Sequence, residues 1–157
     1  MAAKSVLTVL ALGVAVAAVA GAGDASAYTR RVCALAGVDD GSSQWSRGEC
    51  SVKNDDASSN HFIWYSLPID TAPGTVRARA HVQGGGLAGT AVCGRLRVFQ
   101  NDSTYQVGSL NCTSGAGTQQ LTFDNSGSVM FVPAGGSATL KLDVDPLLRV
   151  YDVEFTN

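Results

Sequence analysis

Val76, Ala78, Ala80 and Val82 alternate with Arg77, Arg79, His81 and Gln83, and Leu140, Leu142 and Val144 alternate with Thr139, Lys141 and Asp143. A period of two places successive side chains on opposite faces of an extended chain, so each segment predicts a strand with one core face and one wet face. After residue 27 no stretch holds apolar residues at helical spacing for three turns. Short apolar segments are instead separated by Gly, Asp, Asn, Ser and Pro clusters, the punctuation of an all-β chain. Strands are expected over about 29–35, 45–52, 62–67, 75–83, 91–100, 105–111, 119–123, 128–132, 137–144 and 148–155. Such a succession predicts an antiparallel β-sandwich. The run His61-Phe62-Ile63-Trp64-Tyr65-Ser66-Leu67 is apolar on both parities, which predicts a central strand or one covered by a loop.

The first 27 residues are patterned differently. Lys4 precedes an apolar run from Val6 to about Ala22, and the small tripeptide Ala25-Ser26-Ala27 precedes Tyr28. This is the layout of a secretory signal peptide with cleavage expected after Ala27. The alternative is an uncleaved membrane anchor, since Val6 to Gly23 is long enough to cross a bilayer. The run is Ala/Gly-rich and lacks a basic stop-transfer cluster, which favours cleavage. Residues 28–157 then form a single domain, secreted to the extracellular space, the periplasm or the cell surface, with no membrane span left after signal cleavage.

Composition and cysteine usage narrow the function classes. The whole chain carries 11 Lys and Arg against 13 Asp and Glu; removing Lys4 and Asp24 with the signal leaves 10 against 12, again a net charge of −2. That balance offers no electrostatic footprint for nucleic acid. Cys33, Cys50, Cys93 and Cys112 all lie in the exported part, where disulfides are favoured over thiolate metal sites. Folding the chain about Gly41/Ser42 brings Cys33 opposite Cys50, and folding it about Asp102/Ser103 brings Cys93 opposite Cys112. Two cross-strand disulfides within hairpins are therefore expected; the alternative is a bridge joining the two sheets.

Few residues stand out as carriers of chemistry. Gly84-Gly85-Gly86-Leu87-Ala88-Gly89 spells the dinucleotide fingerprint, but Thr90 leads into a strand where the motif needs a helix, so a loop is expected and no cofactor. His61 and His81 stand in no zinc-ligand spacing and beside no nucleophile motif, so neither a metal site nor a catalytic residue is assigned. Asp39-Asp40 and Asp55-Asp56 sit in turn-like segments, where aspartate caps its own backbone. If residues 84–90 are a hairpin loop, Arg79 falls opposite Arg95 and Arg77 opposite Arg97, an arrangement that calls for nearby anions. These are either neighbouring carboxylates or an anionic saccharide, whose carboxylate or sulfate groups match arginine forks. Trp45, Trp64, Tyr65 and Tyr105 are the aromatic candidates for stacking on a sugar face. Trp45 and Tyr105 follow turns and are expected near loop ends, whereas Trp64 is expected to be buried. The ligand-binding candidates are accordingly Trp45, Tyr105, Arg77, Arg79, Arg95 and Arg97.

The segments Gly135-Gly136-Ser137-Ala138-Thr139-Leu140-Lys141-Leu142 and Leu148-Arg149-Val150-Tyr151-Asp152-Val153-Glu154-Phe155 resemble the last two strands of galactose-binding-like and carbohydrate-binding-module sandwiches. The resemblance implies a jelly-roll, galactose-binding-like sandwich. In those families an acidic residue after the first apolar pair of the last strand can serve a structural calcium. Here Tyr151 holds that place and Asp152 comes one later, which would turn the carboxylate to the opposite face. Cys33, Cys50, Cys93-Gly94-Arg95-Leu96 and Val150-Tyr151-Asp152-Val153 also resemble a loose set of small secreted bacterial β-sandwich proteins of unknown function, which implies no activity.

The chain is thus expected to be a non-catalytic secreted or cell-surface β-sandwich that binds extracellular polysaccharide or other cell-surface material. The alternative is a structural protein of the envelope or of an extracellular fibre, self-associating through strand edges with no small-molecule ligand.

Overall fold

The computed structural model describes residues 30–69, 73–87, 89–100 and 105–156. The expected signal segment, residue 29 and the turn at 101–104 lie outside them. Among the described residues no helix is long and apolar enough to cross a membrane. The strands are β1 Arg30–Cys33, β2 Val38–Asp39, β3 Trp45–Arg47, β4 Val52–Asn54, β5 His61–Leu67, β6 Gly74–Val76 and β7 Ala78–Gly84. They continue with β8 Val92–Phe99, β9 Tyr105–Val107, β10 Asn111–Cys112, β11 Gly117–Phe123, β12 Met130–Val132, β13 Ser137–Val144 and β14 Arg149–Phe155. One turn of 3-10 helix, Ala34–Ala36, follows β1.

All pairings are antiparallel. The first sheet runs β11-β7-β14-β4-β3, with β1 also on β14. The second runs β10-β8-β13-β5-β2, with β9 also on β8. A small β12-β6 pair stands apart from both. Inward side chains of both large sheets, among them Ala78, Val82, Val153 and Phe155 of the first and Ile63, Tyr65, Leu96 and Leu142 of the second, join one buried cluster. The fold is an all-β antiparallel sandwich with two disulfides, as the alternation requires: buried and part-exposed residues alternate along β7, β8 and β13.

Size alternation fits the core together. Ala78 of β7 lies in register between Phe123 of β11 and Phe155 of β14, so a small residue on the central strand leaves room for a ring on each side. On the facing sheet Gly94 does the same: a Cβ there would come within 2.7 Å of the Phe123 ring and 2.5 Å of Leu142. Close packing of this kind leaves no slack for added atoms.

Several expected strands are shorter than their apolar runs. The expected 45–52 strand divides at a turn in which the Gly48 amide donates to the Ser51 carbonyl. The expected 105–111 strand divides where Gly108 donates to Leu96, which shifts the pairing with β8 by one residue. The expected 75–83 strand breaks at Arg77, leaving β6 to pair with β12 and β7 with β11 and β14.

Both disulfides have the expected connectivity, Cys33–Cys50 and Cys93–Cys112. Cys93 and Cys112 face each other across the β8-β10 ladder, as a hairpin staple should. Cys33–Cys50 needs a correction: Cys33 belongs to β1, which pairs with β14, and Cys50 sits in the β3-β4 turn. That bridge ties the turn to the β1 end, where Ala34 N–H also donates to the Cys50 carbonyl.

The larger correction concerns the hairpin expected between residues 75–83 and 91–100. Its strands β7 and β8 lie in different sheets, and the glycine-rich segment crosses from one to the other. Arg77 and Arg79 are therefore not opposite Arg97 and Arg95. The same segment leads into β8 rather than a helix, in keeping with a loop.

Candidate functional site

The outer face of the second sheet collects rings and cations. In β5 the odd residues Ile63, Tyr65 and Leu67 are buried, which leaves Phe62, Trp64 and Ser66 facing outward. Register then sets a row of Val38, Trp64, Lys141 and Arg95 across β2, β5, β13 and β8. Beside it run Ser66, Thr139, Arg97 and Val107, and Phe62, Asp143, Cys93 and Cys112. The Arg97 guanidinium carbon lies 4.8 Å from the Trp64 ring centre and 5.8 Å from that of Tyr105. Lys141 Nζ lies 4.5 Å from the Phe62 ring centre. Phe62 meets Trp64 edge-on at 6.3 Å, and Phe99 meets Tyr105 at 5.7 Å. Tyr105 is 54% exposed and Phe62 37%.

Cation–π contact orients Arg97 without consuming its N–H donors. Among the described residues neither Arg95 nor Arg97 donates a hydrogen bond or pairs with a carboxylate; Arg97 Nε and Thr139 Oγ1 are both buried without a hydrogen-bond partner. A depression of about 240 Å³ opens between Arg95, Arg97, Leu110, Lys141 and Asp143. The carboxylate among its described lining residues is engaged: Lys141 Nζ reaches Asp143 Oδ1 at 2.6 Å.

The other candidate arginines lie elsewhere and are paired. Arg79 donates to Glu154, Arg31 reaches the same carboxylate at 2.9 Å, and Arg77 Nε lies 3.3 Å from Asp124. Burial pushes the Glu154 carboxyl up, but the two guanidiniums outweigh it and hold it below the usual range. His81, Asp152 and Glu154 bring ligand-capable atoms within 4.8 Å of one another on this sheet. His81 Nδ1 is already 2.6 Å from Asp152, and Arg31 bridges both carboxylates. The donor set is that of a neutralised ion-pair network, in which two guanidiniums oppose an added cation. Tyr151 and Asp152 were expected on opposite faces; instead both border the hollow next to His81, because a β-bulge separates Val150 from Asp152.

Trp45 also belongs to the first sheet. It packs against the core, and its indole N–H donates to Asp40 Oδ1 at 3.2 Å. Asp40 leads a clamp between loops: its Oδ2 lies 2.8 Å from His61 Nδ1, while Asp56 Oδ2 lies 3.2 Å from His61 Nε2. Ser42 Oγ is 3.5 Å from the same Nε2, so Asp40, His61 and Ser42 stand in the order of a nucleophilic triad. Two features set them apart from one: Asp56 holds Nε2 more closely, and Ser42 Oγ accepts the Gln44 amide. Asp40 and Asp56 also accept the amides of Ser42 and Ser58, as turn aspartates do.

The clamp has a defined pH window. The Asp40 hydrogen bond raises the His61 pKa above 6.5, burial opposes it, and Asp56 adds to the rise. Burial raises Asp40, but its bonds from His61, Trp45 and two amides leave it lowered. The Ser58 amide and hydroxyl, then His61, lower Asp56 from 3.8 to about 2. The His61 contribution is complete below its unfolded value of 6.5 and is lost as pH rises through the folded one. The aspartate contributions are complete above 3.8 and are lost as pH falls through the folded values. The thermal midpoint should therefore be highest between about pH 4 and 6.5, and His61→Gln should flatten the decline above it. A decline unchanged by His61→Gln would assign it to another group.

Sequence reasoning placed Tyr105, Arg95 and Arg97 among the candidates but left out Phe62 and Lys141, and expected Trp64 to be buried. Parity within the His61 to Leu67 run could have found both rings.

No family model matches the chain, and no curated protein matches it. Among solved structures it is similar to a carbohydrate-binding module, CBM6cm-2, of Cellvibrio mixtus lichenase 5A, in complex with cellotriose. That likeness has 12% identity and a TM-score of 0.45 over 83% of this chain and 98% of that one. It is similar to the C-terminal CBM6 module of a marine laminarinase from Zobellia galactanivorans, with 9% identity and a TM-score of 0.43 over 83% and 93% of the two chains. It is also similar to Arthrobacter globiformis T6 isomalto-dextranase, with 11% identity and a TM-score of 0.45 over 69% of this chain; it spans 19% of that enzyme.

Proposed function

We propose that this is a non-catalytic, secreted or cell-surface protein that binds extracellular carbohydrate on the outer face of its second sheet. The observation carrying the proposal is the continuous set of Phe62, Trp64 and Tyr105 rings with Arg97 held between two of them. Sugars present C–H faces that stack on rings and hydroxyls that take N–H donors, and this face offers both. Export is supported by the signal layout and by four cysteines paired in two disulfides. The proposal keeps Tyr105, Arg95 and Arg97 as ligand contacts, adds Phe62, Trp64 and Lys141, and gives Trp45, Arg77 and Arg79 structural roles.

A glycan array followed by titration calorimetry tests it. Tyr105→Ala together with Phe62→Ala should weaken binding by about tenfold or more, the loss expected when stacking contacts are removed. Trp45→Phe should leave it unchanged. Concentration-dependent polymerisation with no glycan signal would favour the alternative of a structural envelope or fibre protein.

A further inference from the structure

We infer that the ligand of this face is an acidic polysaccharide, whose carboxylate or sulfate groups are bound by Arg95, Arg97 and Lys141. The inference rests on the carbohydrate reading above and adds to it the charge of the ligand.

The two faces of the sandwich treat their cations differently. On the first sheet Arg31 and Arg79, and at the break before β7 Arg77, each have a carboxylate within 4 Å. On the second, Lys141 and Arg95 stand directly opposite each other in the ladder, and Arg97 is one row away on the same side. Like charges so placed repel unless an anion lies between them. Among the described residues Asp143 is the one acidic residue lining the depression they share, and Lys141 holds it. Among its described lining residues the depression therefore presents three cations to one carboxylate.

The donors are also prepared for an acceptor. Arg97 is held by ring faces, so its planar fork is oriented while its N–H groups stay unengaged. Its Nε and the neighbouring Thr139 hydroxyl have lost water without gaining a protein partner. Buried donors left this way are costly, and an oxyanion in the depression would meet the charged groups that line it, the Arg95 and Arg97 guanidiniums and the Lys141 ammonium. Carboxylate and sulfate share this chemistry. A nucleic acid fits less well, because the chain is acidic overall, with a net charge of −2, and the basic patch comprises three of the described residues.

The test compares polygalacturonate, a sulfated galactan, neutral dextran and poly-L-glutamate as soluble ligands for the mature protein, its R95Q/R97Q variant and its Tyr105→Ala variant. Equal thermal midpoints would establish that the variants are folded. The expected result is binding of polygalacturonate or the sulfated galactan, weakened about tenfold or more in R95Q/R97Q and reduced at about 0.5 M salt. The arm that binds identifies carboxylate or sulfate as the anion. Dextran binding that R95Q/R97Q leaves unchanged would overturn the charge inference and leave the carbohydrate reading standing. Poly-L-glutamate bound as tightly as polygalacturonate, with no effect of Tyr105→Ala, would overturn both, as would absence of binding to all four.

Discussion

Phe123→Ala is expected to lower the unfolding free energy by about 4 kcal/mol, the middle of the range for losing a buried ring. The ring is fully buried, and it is where the sheets interlock: it sits beside Ala78 in its own sheet and over Gly94 in the other. No small residue nearby can move to fill the cavity, since Ala78 and Gly94 are small because the ring is there. Gly94→Ala should also destabilise, by about 1–3 kcal/mol, because the new methyl would meet the ring and, at 2.9 Å, the Lys141 carbonyl. In the double variant the second cost should shrink, since the ring no longer occupies the space, and urea denaturation of all four proteins gives this coupling. Additive effects would mean that Phe123 and Gly94 do not share one contact.

Removing a disulfide should have the next largest effect. Cys93 and Cys112 are 19 residues apart and Cys33 and Cys50 are 17 apart, so each bridge closes a loop worth about 3 kcal/mol in a chain-entropy account. Cys93→Ser with Cys112→Ser should lower the urea midpoint accordingly, and so should Cys33→Ser with Cys50→Ser. The first pair should do more than destabilise. It lies on the outer face beside Asp143 and holds β10 to β8, the strand that carries Arg95 and Arg97. Ligand binding should therefore weaken in that variant even under conditions where it is folded, whereas loss of the other bridge should spare it. Equal binding in both would separate the bridge from the site.

Strand identity and facing were legible because both follow from period-two patterning, a local property. β13 keeps its expected bounds, and Leu140 and Leu142 point inward while Lys141 and Asp143 point outward. Cys93–Cys112 was legible from its hairpin spacing and the turn aspartates from their own chemistry, whereas Cys33 and Cys50 pair as expected but without the expected hairpin. Sheet membership was not, because alternation tells which face a residue takes and not which strand lies beside it. A seven-residue glycine-rich loop suits a hairpin and a crossover between sheets equally well, and the expected arginine pairs failed on that choice. Trp64 was misplaced for a related reason. An apolar run on both parities reads as doubly buried, yet its outer face is shielded by Arg97 and Lys141 from strands distant in sequence. The site is assembled from side chains of β5, β8, β9 and β13, so no single segment carries its signature.

A saccharide bound on the outer face of the second sheet should be visible in chemical-shift mapping during titration with an oligogalacturonate. The perturbed signals should be the Trp64 indole N–H and the groups around Phe62, Arg95, Arg97, Tyr105 and Lys141. Shifts confined instead to the hollow of about 390 Å³ between Gly85–Leu87, Gly89–Ala91 and Thr113–Ala116, or to the paired Arg31, Arg77 and Arg79, would mean that the saccharide does not bind this face.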